Sequence, residues 1–240
     1  MRTLWIIAGM RRSGIHAVVN WMKAAIDTTG EPHVLLNNVR LRVLNSKDSN
    51  VIFSKSFASS ASSNEHVLIV FEDKRLGRVL EAPLIRRIGT DQQKQLVVIR
   101  DPYNLVASRL HRTRRKRNRD THPRRVAELW PDHAGHDESW TRCVYNQWFL
   151  EESYRRDLAD GLGLPICPSL PKRIARAGRG SSFDGVRYDG RASDMPVLDR
   201  WRLFAGDEEF LRYVNHSSFA TLSEELCAFP NPLEEAAVDS

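Results

Sequence analysis

Two adjacent arginines and a serine, Arg11, Arg12 and Ser13, lie between Gly9 and Gly14. Cations and a hydroxyl donor in a glycine-flanked turn suit an anion, above all a phosphate. A second set of the same character is Arg100, followed by Asp101-Pro102 and, eight residues after the arginine, Ser108. Arg offers a planar fork to phosphate oxygens and Ser adds a neutral donor. Glu72 and Asp73 close an apolar run. A carboxylate at such a place can take a proton, which makes Glu72 the candidate general base. Blander alternatives stand beside these. Gly9 and Gly14 can be ordinary turn residues next to solvated arginines. Glu72-Asp73 can simply open a helix through favourable charge at its N-terminus.

The elements that must position these residues are readable from hydrophobic period. Leu4 to Ala8 is a buried strand ended by Gly9, and from Gly14 the residues Ile15, Val18, Val19, Met22 and Ile26 share one helical face. A strand, basic turn and helix aim free backbone N–H groups and a helix dipole at the turn. The turn is not a Walker A loop, because Ile15 and His16 stand where that motif needs Lys and Ser/Thr. That argues against an ATPase or kinase of the usual type. Val34 to Leu36 reads as a short strand, with His33, Asn37 and Asn38 either facing an acceptor or serving as turn formers. Val51 to Phe53 reads as a further strand and Ser54 to Asn64 as a surface loop. Val67 to Phe71 is a continuous buried strand that puts Glu72 at its carboxyl end and His66 at the opposite one. Leu96 to Ile99 is the next, running into Arg100, with Asp101 as helix cap and Pro102 as first helical residue. From Asp137 to Leu158 the pattern predicts one long amphipathic helix carrying Trp140, Val144, Trp148 and Tyr154. The glycines between Gly178 and Gly185 predict a shaped loop, Asp207 to Ala228 two helices, and Pro230 onward a frayed acidic end.

Three stretches in this order resemble the sulfotransferases that use 3′-phosphoadenosine 5′-phosphosulfate (PAPS). The first is their phosphosulfate turn, G-x-P-[KR]-S-G-T-T between a strand and a helix. Gly9, Arg12, Ser13 and Gly14 match it, Arg11 replaces the proline, and Ile15 and His16 replace the threonines. The second is a strand ending in Arg with Ser eight residues on, matched by Arg100 and Ser108. The third is a T-S-F-type stretch, which Ser181-Ser182-Phe183 resembles, followed by Asp199-Arg200-Trp201 where the family has a D-W region. The family's basic R-K-G element is absent in standard form, leaving Arg191, after Gly190, or Arg200 to replace it.

The resemblance implies a P-loop-like α/β domain over 1–240, a central mainly parallel sheet flanked by helices. It implies transfer of a sulfuryl group from PAPS to an acceptor hydroxyl, with PAP as product. Gly9 and residues 11–16 would bind the 5′ end, Arg12 with a catalytic share. Arg100 and Ser108 would hold the 3′-phosphate, with Ser182, Phe183 and Arg191 as further nucleotide contacts. Glu72 stands about where the family places its base, a His in many members and a Glu in others.

Composition limits the remaining choices. Hydrophobic content of 41% and charged content of 28% over 240 residues suit a globular chain with one sizeable core. No apolar run approaches the roughly 20 residues needed to span a bilayer. Three widely spaced cysteines, Cys143, Cys167 and Cys227, suggest neither a metal site nor a disulfide framework, and point to a reducing, cytoplasmic setting. The net charge of +6 favours anionic ligands. Nine of the residues in 109–125 are Lys or Arg, and a solvated face explains such runs as readily as a steering surface. Without interleaved aromatics the run argues against nucleic acid and mildly for an anionic acceptor, whether a glycan, a lipid-linked saccharide or a small natural product. The competing functions are a non-catalytic nucleotide- or polyanion-binding protein and an atypical P-loop kinase.

Overall fold

Apolar residues in unbroken succession from Leu4 to Ala8 have no polar face to show to water, so the strand they form, β1 (Thr3–Gly9), sits in the middle of a sheet. The computed structural model describes residues 1–37, 65–81, 85, 90–116, 122–135, 138–174, 181, 183–215, 217–227 and 229. The strand predicted at 51–53, the loop at 54–64 and the acidic end from residue 230 lie outside them. β1 is followed by α1 (Ile15–Ile26), β2 (His33–Leu36), β3 (His66–Glu72), the short α2 (Leu76–Leu80), β4 (Gln92–Ile99) and α3 (Pro102–Lys116). Then come α4 (Arg124–Ala134), β5 (Thr141–Val144), α5 (Tyr145–Leu150), α6 (Glu152–Leu162), α7 (Glu208–Val214) and α8 (Ser217–Cys227).

The sheet order is β2-β3-β1-β4-β5, and each neighbouring pair is parallel. Gly9 is in register with Glu72 on one side and Val98 on the other. The carboxyl ends of the three central strands therefore lie side by side, where open α/β sheets gather their chemistry. Side chains alternate between two cores. Leu4, Ile6, Val67, Ile69, Phe71, Val97 and Ile99 pack with α3 and α4, whereas Trp5, Ile7, Leu68, Val70 and Val98 pack with α1 and α5. The expected helical face of α1 (Ile15, Val18, Val19, Met22 and Ile26) is buried there. Helices thus flank a parallel sheet on both faces, the P-loop-like α/β architecture expected.

The long helix predicted over 137–158 is not formed. Thr141 to Val144 pairs with β4 as an edge strand, and after α5 the chain is extended at Glu151 (φ −109°) before α6 begins. Trp140, Val144 and Trp148 have helical spacing, but Trp140 and Val144 belong to one core and Cys143, Tyr145 and Trp148 to the other. β-Branched Thr141 and Val144 suit a strand. The Tyr154 hydroxyl secures its edge by accepting from the Val144 N–H at 2.8 Å. The two C-terminal helices form as expected.

Candidate functional site

Residues 10–14 cross from the end of β1 to α1 through two left-handed conformations, Arg12 at φ 76° and Gly14 at φ 89°. Glycine is required at position 14, since a Cβ there would overlap the Tyr145 ring. The turn closes with the Ser13 N–H donating to the Met10 carbonyl at 3.0 Å. The N–H groups of Ile15 and His16 open α1 and have no acceptor within the helix. Ser13 is buried, and its Oγ has no hydrogen-bond partner among the described residues. Donors without acceptors at a helix start are what an oxyanion would satisfy.

Two arginines hold the outer side of the turn through its carbonyls. Arg109 Nε donates to the Arg11 carbonyl at 3.1 Å, and Arg100 Nη1 donates to the Arg12 carbonyl at 2.9 Å. Asp73 Oδ1 accepts the Arg11 N–H at 3.0 Å and pairs with Arg109 Nη2. Asp73 does not open a helix. It is itself left-handed at φ 55°, its N–H donates to the Gly9 carbonyl at 3.1 Å, and α2 starts only at Leu76.

Glu72 extends from the end of β3 beside this turn. Its carboxylate lies 3.5 Å from Arg11 Nε and 3.4 Å from His16 Nε2. His33 begins β2, in register with His66, and so lies at the opposite end of the sheet, 3.2 Å from Asp27. His66 also lies there, against Glu31. Asn37 follows the carboxyl end of β2, and Asn38 lies outside the described residues.

The strand end of β4 is built as expected. Asp101 caps α3, accepting the Asn104 N–H at 2.7 Å, and accepts from Asn146 Nδ2 at 3.0 Å. Asn104 also donates to the Leu198 carbonyl at 2.7 Å and accepts the Trp201 N–H at 3.2 Å, which draws the 197–201 segment across the end of β4. That segment covers Arg100. Arg100 Nη2 donates to the Val197 carbonyl, Arg100 Nε lies 4.0 Å from Asp101 Oδ2 with no hydrogen-bond partner among the described residues, and the guanidinium lies over the Tyr145 ring at 5.4 Å. Ser108 is fully buried, and its Oγ also has no partner there.

Ser182 lies outside the described residues. Phe183 lies against His111 with ring centroids 4.2 Å apart and planes tilted by 33°, and carries the Arg200 guanidinium at 5.0 Å. Arg200 is buried and donates to Ser181 Oγ at 2.8 Å, next to Asp184. Arg191 is exposed, its guanidinium over Tyr188 at 5.9 Å. Burial first, and then the charge of Arg112, push the Arg12 pKa down to about 10, with Glu72 opposing. Burial, then Arg100, brings Arg200 down to about 10. Arg12, Arg100, Arg109, Arg112 and Arg200 thus share one positive field, and both perturbed groups remain cationic at neutral pH.

The sequence reading did not single out Arg109, Arg112 or Tyr145, and it weighed Asp73 only beside Glu72, as a lesser candidate or a helix opener. Arg112 had a signal, since it stands four residues after Ser108 on the same helical face. Tyr145 had none, and the signal at Asp73 did not point to the turn, because its bond to the Arg11 N–H arises only from the pairing of β3 with β1.

The fold is that of sulfotransferase domains. The sulfotransferase domain from the Synechococcus PCC 7002 olefin synthase superposes with a TM-score of 0.57, covering 96% of this chain and 96% of its own at 14% identity. The sulfotransferase domain from the curacin biosynthetic pathway covers 91% of this chain and 98% of its own, with a TM-score of 0.50 and 13% identity. No protein-family model and no curated protein matches the sequence. Among the described residues no helix is long and apolar enough to cross a membrane.

Proposed function

We propose that the chain is a PAPS-dependent sulfotransferase, a single domain that transfers a sulfuryl group to an acceptor hydroxyl. The observation that carries this reading is the buried Ser13 Oγ at the start of α1, without a hydrogen-bond partner among the described residues, in a turn that Glu72 borders through Arg11 and His16. It is a ready oxyanion cradle next to a carboxylate, in a fold shared with sulfotransferase domains. The donor set suits the nucleotide's charge at both ends, since Ser108 Oγ and Arg100 Nε also lack hydrogen-bond partners among the described residues.

PAPS supplies the activated sulfuryl group. The N–H groups of Gly14, Ile15 and His16, with Ser13 Oγ, bind the 5′-phosphate oxygens. Glu72 takes the proton of the acceptor hydroxyl as that oxygen bonds to sulfur. Arg12 neutralises the charge gathering on the phosphate oxygen as its bond to sulfur breaks, acting as a fixed cation. His16 orients the Glu72 carboxylate from 3.4 Å and is the second candidate for the proton. Arg100 and Ser108 read the 3′-phosphate, which requires the Val197 carbonyl to yield its place on Arg100. Arg200, buried and in the same field, completes that site in preference to exposed Arg191. Phe183 and His111 give the base an aromatic neighbour.

Purified protein incubated with sulfur-labelled PAPS and a panel of hydroxyl acceptors tests the proposal. Transfer of label that Glu72→Gln abolishes, while PAP still binds, is the expected result. ATP turnover with magnesium and no PAPS turnover would replace this reading with a kinase.

A further inference from the structure

We propose that Asp73 and Arg109 are positioning residues that set the geometry of the anion-binding turn from behind. This rests on the reading of that turn as the phosphosulfate site. Arg109 is fully buried and Asp73 nearly so. Between them they grip the Arg11 residue at both backbone poles. Asp73 Oδ1 accepts its N–H at 3.0 Å and Arg109 Nε donates to its carbonyl at 3.1 Å, while Arg109 Nη2 and Asp73 Oδ1 pair with each other.

The grip has a geometric consequence. Arg12 is in the left-handed region, a conformation that an L residue keeps only when its surroundings impose it. With the Arg11 peptide fixed on one side and Arg100 holding the Arg12 carbonyl at 2.9 Å on the other, the turn has no freedom to relax that angle. Its remaining N–H groups and Ser13 Oγ are therefore aimed to one side. Asp73 is able to reach Arg11 because it too is left-handed, anchored by its N–H on the Gly9 carbonyl. Its backbone distortion and the turn's distortion are parts of one device spanning β1, β3 and α3. Behind it His133 Nε2 lies 2.7 Å from the Lys74 carbonyl, so α4 braces the same corner.

A purely structural ion pair would weaken the whole fold and every ligand alike. A positioning pair changes the turn and what the turn binds. Two variants separate these, Arg109→Lys, which keeps the charge and loses the fork, and Asp73→Asn, which keeps an acceptor and loses the charge. Amide hydrogen exchange on the free protein reads the turn without any nucleotide. The expected result is exchange at Arg11 and Ser13 faster by about tenfold or more in both variants, with the Val67–Phe71 amides as protected as in wild type. Unchanged exchange at Arg11 in both folded variants overturns the inference whatever the protein binds. Calorimetry with PAP and with adenosine 3′-phosphate, which lacks the 5′ group, reads the consequence. PAP affinity falls about ten- to a hundredfold and adenosine 3′-phosphate affinity stays level. A parallel fall of both ligands overturns positioning in favour of general destabilisation. Failure of the wild type to bind PAP would instead overturn the proposed function, and the exchange result would still decide the role of the pair.

Discussion

Arg12→Gly should make the protein more stable and inactive. Arg12 holds φ 76°, a conformation that costs an L residue about 1–2 kcal/mol and glycine almost nothing. Glycine's greater freedom in the unfolded chain takes back about 0.5–1 kcal/mol, leaving a net gain of about 0.5–1 kcal/mol. For a chain of 240 residues that gain raises Tm by about 1–4 °C. The guanidinium is half-buried among Arg112, Arg109 and Arg100, and relief of that repulsion acts in the same direction. Turnover should fall about a hundred- to a thousandfold, the usual consequence of removing one transition-state donor. Arg12→Ala is the control. It keeps a Cβ and hence the strain, so it loses the same turnover without the same gain in stability. Thermal unfolding and labelled sulfuryl transfer on the three proteins make the comparison. A glycine variant that melts no higher than the alanine variant refutes the strain argument, and wild-type turnover in either removes Arg12 from the mechanism.

Gly14→Ala combines the left-handed penalty with an overlap against the Tyr145 ring, so it should cost about 2 kcal/mol or more and lower Tm by several degrees. Stability equal to wild type would show that the turn does not rest on Tyr145. Arg200→Ala should weaken PAP binding about tenfold, whereas Arg191→Ala should leave it unchanged, and a reversed order in calorimetry would reassign the missing basic element. Burial holds the His133 imidazole below its ordinary pKa of 6.5, so the unfolded chain takes up the proton first as pH falls. Stability is therefore full above that value and declines below it, with His33 and His111 lowered by burial in the same direction. His133→Gln should make the fall in Tm between about pH 7 and about pH 5 shallower. An unchanged slope would mean that His133 does not carry it.

Local chemistry was legible wherever neighbours in the chain decide the structure. Asp101-Pro102 announced a capped helix, and the capping bond is there at 2.7 Å. The apolar runs at Leu4, Val67 and Leu96 announced central parallel strands because nothing in them could face water. β5 was hidden because a short edge strand running directly into α5 places Trp140, Val144 and Trp148 at helical intervals by coincidence. The support of the turn was hidden for a different reason. Asp73 and Arg109 stand 36 residues apart, and Asp73 meets Arg11 across 62. Only the parallel pairing of β3 with β1 and the packing of α3 against the turn make them neighbours, and no periodicity encodes that. Burial of Arg100 under the Val197 carbonyl was hidden likewise, since the covering segment comes 97 residues later.

The central claim is that the site reads a nucleotide phosphorylated at both the 5′ and 3′ positions. Arg100→Ala is a blunt probe of it, because Arg100 also supports the Arg12 carbonyl. Ser108→Ala is a clean one. Its hydroxyl is buried without a partner among the described residues, so its removal should leave Tm unchanged or slightly raised. Calorimetric titration of PAP and AMP into wild type and Ser108→Ala at one salt concentration is the direct measurement. Wild type should bind PAP about ten- to a hundredfold more tightly than AMP, and Ser108→Ala should cut that preference about three- to tenfold without altering AMP. Equal affinity of the wild type for PAP and AMP would contradict the account.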